Sequence, residues 1–160
     1  MAGLFWFTEK ICRLMTLIAY SALTFIMLLT VADVTGRIFR HPILGTFEIV
    51  GMGGAIAIGF AIPLTSWLRG QTYVDFAIQM FPDRIRNIVN ILTRVVCIAL
   101  FAVIGYNLFL YASNLRVSGE VSLTRQIPFY PVAYGLGVSC FVQCLVLITD
   151  IAKVLGGKYE

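Results

Sequence analysis

The chain is 160 residues long, 59% apolar and only 12% charged, with a net charge of +4. That balance excludes a soluble globular domain, in which about a quarter of the residues carry charge. It also argues against a nucleic-acid partner, because the basic residues sit at the ends of apolar runs and form no aromatic-interleaved patch.

Four runs, at 14–32, 49–68, 95–115 and 126–149, hold no charged residue at all. Each is close to the ~20 residues a helix needs to cross a hydrocarbon core. They are apolar on every face, so their backbones must close hydrogen bonds internally as helices, where barrel strands would alternate in polarity. The expected fold is an all-α integral membrane protein, one domain over 1–160 with spans near 12–34, 47–68, 86–113 and 128–152. The first run is expected to stay as an anchor, since it exceeds the ~7–15 residues of a signal-peptide core and no small-x-small cleavage site follows it.

Orientation follows from the basic residues, which are retained on the cytoplasmic side. The termini and the 68–95 connector together hold eight, Lys10, Arg13, Arg69, Arg84, Arg86, Arg94, Lys153 and Lys158, against Arg37, Arg40, Arg116 and Arg125 in the two other loops. Both termini are therefore expected in the cytoplasm, with Trp6, Trp67, Phe129 and Tyr130 at the membrane interfaces.

After the first span comes the densest cluster of charge and turn-formers in the first half of the chain. Asp33 and Arg37 are one helical turn apart and can pair as the helix leaves the membrane. Pro42 and Gly45 turn the chain back. Glu48 then falls in the first turn of the second helix, against the positive end of its dipole. Along that helix Gly51, Ala55 and Gly59 are spaced by four, a groove that admits a second helix from within the chain or from a partner. Pro63 is expected to loosen the helix one turn later.

Residues 74–81 are apolar with sparse polarity and end at Pro82, which suggests a short helix lying in the interface plane. Asp83, Asn87, Asn90 and Arg94 then share one face of the third helix. Arg94 must either snorkel to the headgroups or pair across a subunit interface. The fourth span opens at Ile127-Pro128 and carries Pro131 in its first turn, where a missing N–H costs nothing. Asn107 and Gln143 lie deep in apolar context, and each should find a partner on a neighbouring helix.

Several chemistries lack their residues. His41 is the only histidine, so two axial imidazoles cannot come from this chain. The four cysteines include no C-x-x-C pair and read as small packing residues. There is no phosphate loop, no metal-ligating motif and no nucleophile with a nearby base, so no enzyme and no cofactor is expected. No Asp or Glu falls at mid-span, where ion-coupled carriers place a carboxylate.

With its four spans, cytoplasmic termini and the D-x-x-x-R…P-x-x-G-x-x-E pattern of Asp33, Arg37, Pro42, Gly45 and Glu48, the chain resembles the small permease subunit of the tripartite ATP-independent periplasmic (TRAP) transporters. Arg69-Gly70 leading to Val74-Asp75 and the Ile127-Pro128 start of the fourth span are further echoes. The family commonly has a histidine four residues before Asp75, where this chain has Gln71. The resemblance implies a bacterial inner-membrane complex that takes up an organic acid on a sodium gradient. A periplasmic binding protein delivers the substrate, and a large membrane subunit carries the substrate and sodium sites. This subunit would be the static scaffold. Gly51, Ala55, Gly59 and Arg94 become candidates for contact with the large subunit or with intervening lipid, and Arg40, Arg116 and Arg125 for docking the binding protein. The alternative is a stand-alone four-helix exporter of the small multidrug type, which would need a carboxylate inside its first span; Glu9 lies ahead of that span and Asp33 at its far end.

Overall fold

A computed structural model of the chain describes residues 2–68 and 83–155. It contains four helices: α1 (Ala2–Ile38), α2 (Thr46–Trp67), α3 (Asp83–Ser118) and α4 (Tyr130–Leu155). Each holds a stretch long and apolar enough to cross a membrane. Among the described residues there is no strand, only an isolated bridge between Val121 and Pro128 in the α3–α4 connector. The expected interfacial helix, with Arg69 and Asp75, lies outside the described residues.

Two helices run well past their apolar cores. At 37 residues, α1 is about 55 Å long, against a hydrocarbon thickness of about 30 Å. Its first turns continue through charged sequence because Arg13 pairs with Glu9 one turn back, at 2.6 Å. The third helix likewise extends from Asp83 to Ser118, beyond the 86–113 expected from apolarity.

The helices do not close into a bundle. α1 packs along α2, α2 along α4, and α4 along α3; α1 touches α4 lightly, and α3 has no substantial contact with α1 or α2. The spatial order is thus α1, α2, α4, α3, a row with α4 inside it. The apolar window of α4 is 44% buried, against 11–17% for the other three. In lipid, exposed apolar surface carries no penalty, so nothing forces the row to curl. Contacts form where small residues let backbones approach or where polar groups meet.

Each seam shows this. On α1, Thr8, Cys12, Met15, Ala19, Ile26 and Asp33 form a stripe of buried and half-buried positions at coiled-coil spacing. Ile26 of that stripe fills the space where Gly53 of α2 has no side chain. Between α2 and α4, Leu136 occupies the notch at Gly59. Pro63 lacks the N–H that would bond the Gly59 carbonyl, and Ser139 Oγ of α4 donates to that carbonyl at 2.5 Å. One turn further, Gln143 Nε2 donates to Ser66 Oγ at 2.6 Å. The α2 helix therefore runs uninterrupted through its proline, with the vacated carbonyl served from the next helix.

The α3–α4 seam is built on Gly105, which faces Cys140 and Phe141, and on Gly137, which faces the ring of Phe109. That ring meets Tyr134 and Phe141 with centroids 5.6 and 5.7 Å away. All four cysteines are free. Near the other end of the seam, Arg94 Nε donates to Asp150 at 2.7 Å, with side chains only 11% and 14% exposed. Neither alternative expected for Arg94 describes this arrangement, for it pairs within the chain. Gln143 meets the expectation of a partner on a neighbouring helix. Asn107 does not: it is exposed, and its Nδ2 donates to Val103 O of its own helix at 2.8 Å.

Candidate functional site

Because α1 and α2 run in opposite senses and α3 and α4 do too, the 39–45 and 119–129 connectors emerge at the same end of the row. The cluster noticed in the sequence folds here into a clasp. Helix α1 ends in a Schellman motif: His41 N donates to Gly36 O at 2.8 Å and Arg40 N to Arg37 O at 3.1 Å. A Cβ on Gly36 would stand 2.5 Å from the His41 carbonyl oxygen, so this close return requires glycine. Arg40 takes the left-handed position of the motif, φ 64°, usually filled by glycine.

Asp33 anchors the return. Its carboxylate is buried, 4% exposed, and receives Arg37 Nε at 2.9 Å and the Ile43 backbone N–H at 2.9 Å. Thr46 Oγ1 caps the same turn by donating to Ile43 O at 2.8 Å. The expected Asp33–Arg37 pair is thus present, and it holds the connector as well as the helix end. Gly45 follows at φ 83°, with no side-chain cap for α2. A side chain there would meet Arg125 Cγ at 2.7 Å.

Glu48 stands in the first turn of α2, against the positive end of its dipole as expected. It also reaches across to the other connector, where Ser122 Oγ, the Thr124 N–H (3.1 Å) and Thr124 Oγ1 (3.0 Å) all donate to it. Arg125 Nε completes the bracket on Leu44 O at 3.0 Å. Asp33, Arg37, Gly45 and Glu48 are therefore brought together, while Pro42 is exposed in the turn between them. Ser122, Thr124 and Gly36 were missed, since nothing in their composition marks them. Asp150 was also missed; its place at the end of the fourth charge-free run, level with Arg94 at the start of the third, was the available signal.

The remaining candidates separate. Arg40 and Arg116 are exposed, and Arg116 stands in the last turn of α3, favourable to the helix dipole. Arg125 has its Nε committed to the clasp. Gly59 is closed by Leu136 and so belongs to the interior of the row. A side chain at Gly51 would meet nothing within 4 Å. Gly51 and Ala55 line a trough of about 420 Å³ whose floor is Ala133 and Leu136 of α4 and whose far wall is Leu108 and Tyr111 of α3. Replacing Arg40 by Gly should stabilise the clasp by about 1 kcal/mol, because the left-handed position then costs no strain. Chemical unfolding in detergent reads the gain, and loss of stability instead would assign Arg40 a side-chain role.

What the arrangement does chemically is fasten. Its carboxylates accept from backbone and hydroxyl donors, and among the described residues no group of His, Cys, Asp and Glu could hold a metal ion. No curated relative matches the chain. The sequence model of the family described as tripartite ATP-independent periplasmic transporters, DctQ component, matches residues 26–157. The match takes in the last third of α1, the other three spans, both connectors of the clasp and the Arg94–Asp150 pair. The chain therefore belongs to the DctQ family, the small membrane subunit of the tripartite ATP-independent periplasmic transporters.

Proposed function

We propose that this chain is the static membrane scaffold of its transporter. It supports a large membrane subunit in the sodium-gradient-driven uptake of an organic acid delivered by a periplasmic binding protein. It lies in the bacterial inner membrane with both termini in the cytoplasm, so the clasp faces the periplasm and the Arg94–Asp150 pair the cytoplasmic side. The substrate and coupling sodium belong to the large subunit, and this chain performs no catalysis. Exposed Arg40 and Arg116 are placed to meet the binding protein, and lipid covers the trough between α2 and α3.

One observation carries this reading. The acids at the span ends, Asp33, Glu48 and Asp150, all accept bonds that fasten one element to another. Charge in this protein is spent on rigidity, which is what a fixed support requires. The test is reconstitution of the complex in liposomes with an imposed sodium gradient and a labelled organic acid. Uptake that needs both membrane chains and the binding protein is expected. Proton-coupled drug efflux by this chain alone would overturn the reading in favour of the exporter.

A further inference from the structure

Helix α3 is an edge of the row, and it carries two stripes at coiled-coil spacing. The inner one, through Ile98, Gly105, Ala112 and Leu115, packs on α4 and is buried or half-buried. The outer one, Val96, Leu100, Val103, Asn107, Leu110 and Asn114, is displaced by two residues, about 200° around the helix. All six of its members are exposed. The four apolar ones are 46–60% exposed and need no explanation in lipid.

Asn107 does need one. It stands within about one turn of the middle of its span, where water is absent. A carboxamide has two N–H donors and an acceptor oxygen. One N–H reaches Val103 O; among the described residues the oxygen and the second N–H have no partner. Lipid tails offer nothing to either. The other edge helix is instructive. The outward-facing serine and threonines of α1, Ser21, Thr24, Thr30 and Thr35, spend their single hydrogen on their own helix, on Ile18, Tyr20, Ile26 and Val31 carbonyls at 2.7–2.9 Å. They are content in lipid, and Asn107 is not.

We infer that the outer stripe of α3 docks a membrane-spanning helix of the transporter's large subunit, one that offers a hydrogen-bonding side chain at the depth of Asn107. The assignment rests on the scaffold reading above and specifies its surface. The repeat of alternating three and four residues selects a shallow left-handed crossing. A lone asparagine in such a seam fixes register, since any slip along the helix buries its carboxamide against hydrocarbon. Asn114, two turns further, repeats the contact near the clasp end.

The experiment places a photoreactive amino acid at Val103 or Leu110 of the full-length chain, co-expressed with its transporter partners, and irradiates intact membranes. Leu17 and Leu28, on the outer face of α1, are the comparison positions. Adducts with the large subunit, identified by mass spectrometry, should exceed those from α1 at least about fivefold. Asn107→Leu should lower recovery of the complex about three- to tenfold, with the chain's own unfolding midpoint unchanged. If the large subunit co-purifies but cross-links only from α1 or α2, this inference falls and the scaffold reading stands. If no large subunit accompanies the unsubstituted chain, both fall. Adducts between two copies of this chain, or with lipid alone, overturn the inference by naming a different occupant.

Discussion

Asp150→Ala will lower the stability of the chain by about 3–5 kcal/mol, because it leaves a nearly buried guanidinium without its carboxylate in a medium that solvates it poorly. For a chain of this size that is a fall of roughly 10 °C or more in the unfolding midpoint. Arg94→Met should cost a similar amount. The double variant Arg94→Met/Asp150→Leu should recover most of the loss, since an apolar pair of similar volume removes the desolvation cost together with the attraction. Thermal unfolding of the four chains in one detergent closes the cycle. Additive losses would mean that the 2.7 Å contact contributes nothing as a pair. The result also bears on α3 as a whole, which among the described residues packs substantially on α4 alone.

Glu48→Ala will open the clasp. It strips three donors of their acceptor, among them the Ser122 hydroxyl, which is 2% exposed and whose orphaning alone costs about 1–3 kcal/mol. The second connector then loses its tie to the first, apart from the Arg125 bond to Leu44. Amide exchange should accelerate across 119–129, most at Thr124, with little change in the middle of the helices. Glu48→Gln retains one carbonyl oxygen and should show about half the effect. Unaltered exchange in Glu48→Ala would mean that the connectors hold their shape independently. On the scaffold reading proposed above, which presents this end to the binding protein, uptake by the assembled transporter should fall with the clasp.

The four helices were legible because charge-free runs of membrane-crossing length leave the backbone no other way to satisfy itself. Helix ends were not, since Glu9 to Arg13 and the polar residues beyond 113 continue the helix in water. The row was also hidden. Residues that are apolar all round do not say which face meets which neighbour, and lipid accepts whichever face is left. The stripe of small and polar side chains on α1, the glycines opposite Ile26, Leu136 and Phe109, and a few polar side chains encode contact. The clasp was half visible. Asp33, Arg37, Gly45 and Glu48 announced themselves by their density, whereas Ser122 and Thr124 are ordinary loop residues that acquire a role only when α3 and α4 bring their connector alongside. Glycine had two meanings as well: Gly59 is a packing notch inside the chain, while Gly51 looks onto open space, and equal spacing could not tell them apart.

The distance in sequence between Arg94 and Asp150, 56 positions, acquires a meaning when the chain is considered as it is being made. The ribosome delivers the guanidinium, and the whole of the third apolar segment behind it, before the acid exists. The α1–α2 hairpin can assemble at once, but α3 has no neighbour until α4 follows it into the bilayer. During that interval the arginine is cheapest at the headgroups, with its helix seated shallowly. Arrival of Asp150 at the end of the last segment allows α3 to settle to its final depth. On that order of events the ion pair would latch membrane insertion, and lesions in it should appear first as nascent chains captured by quality-control proteases, before any defect in transport.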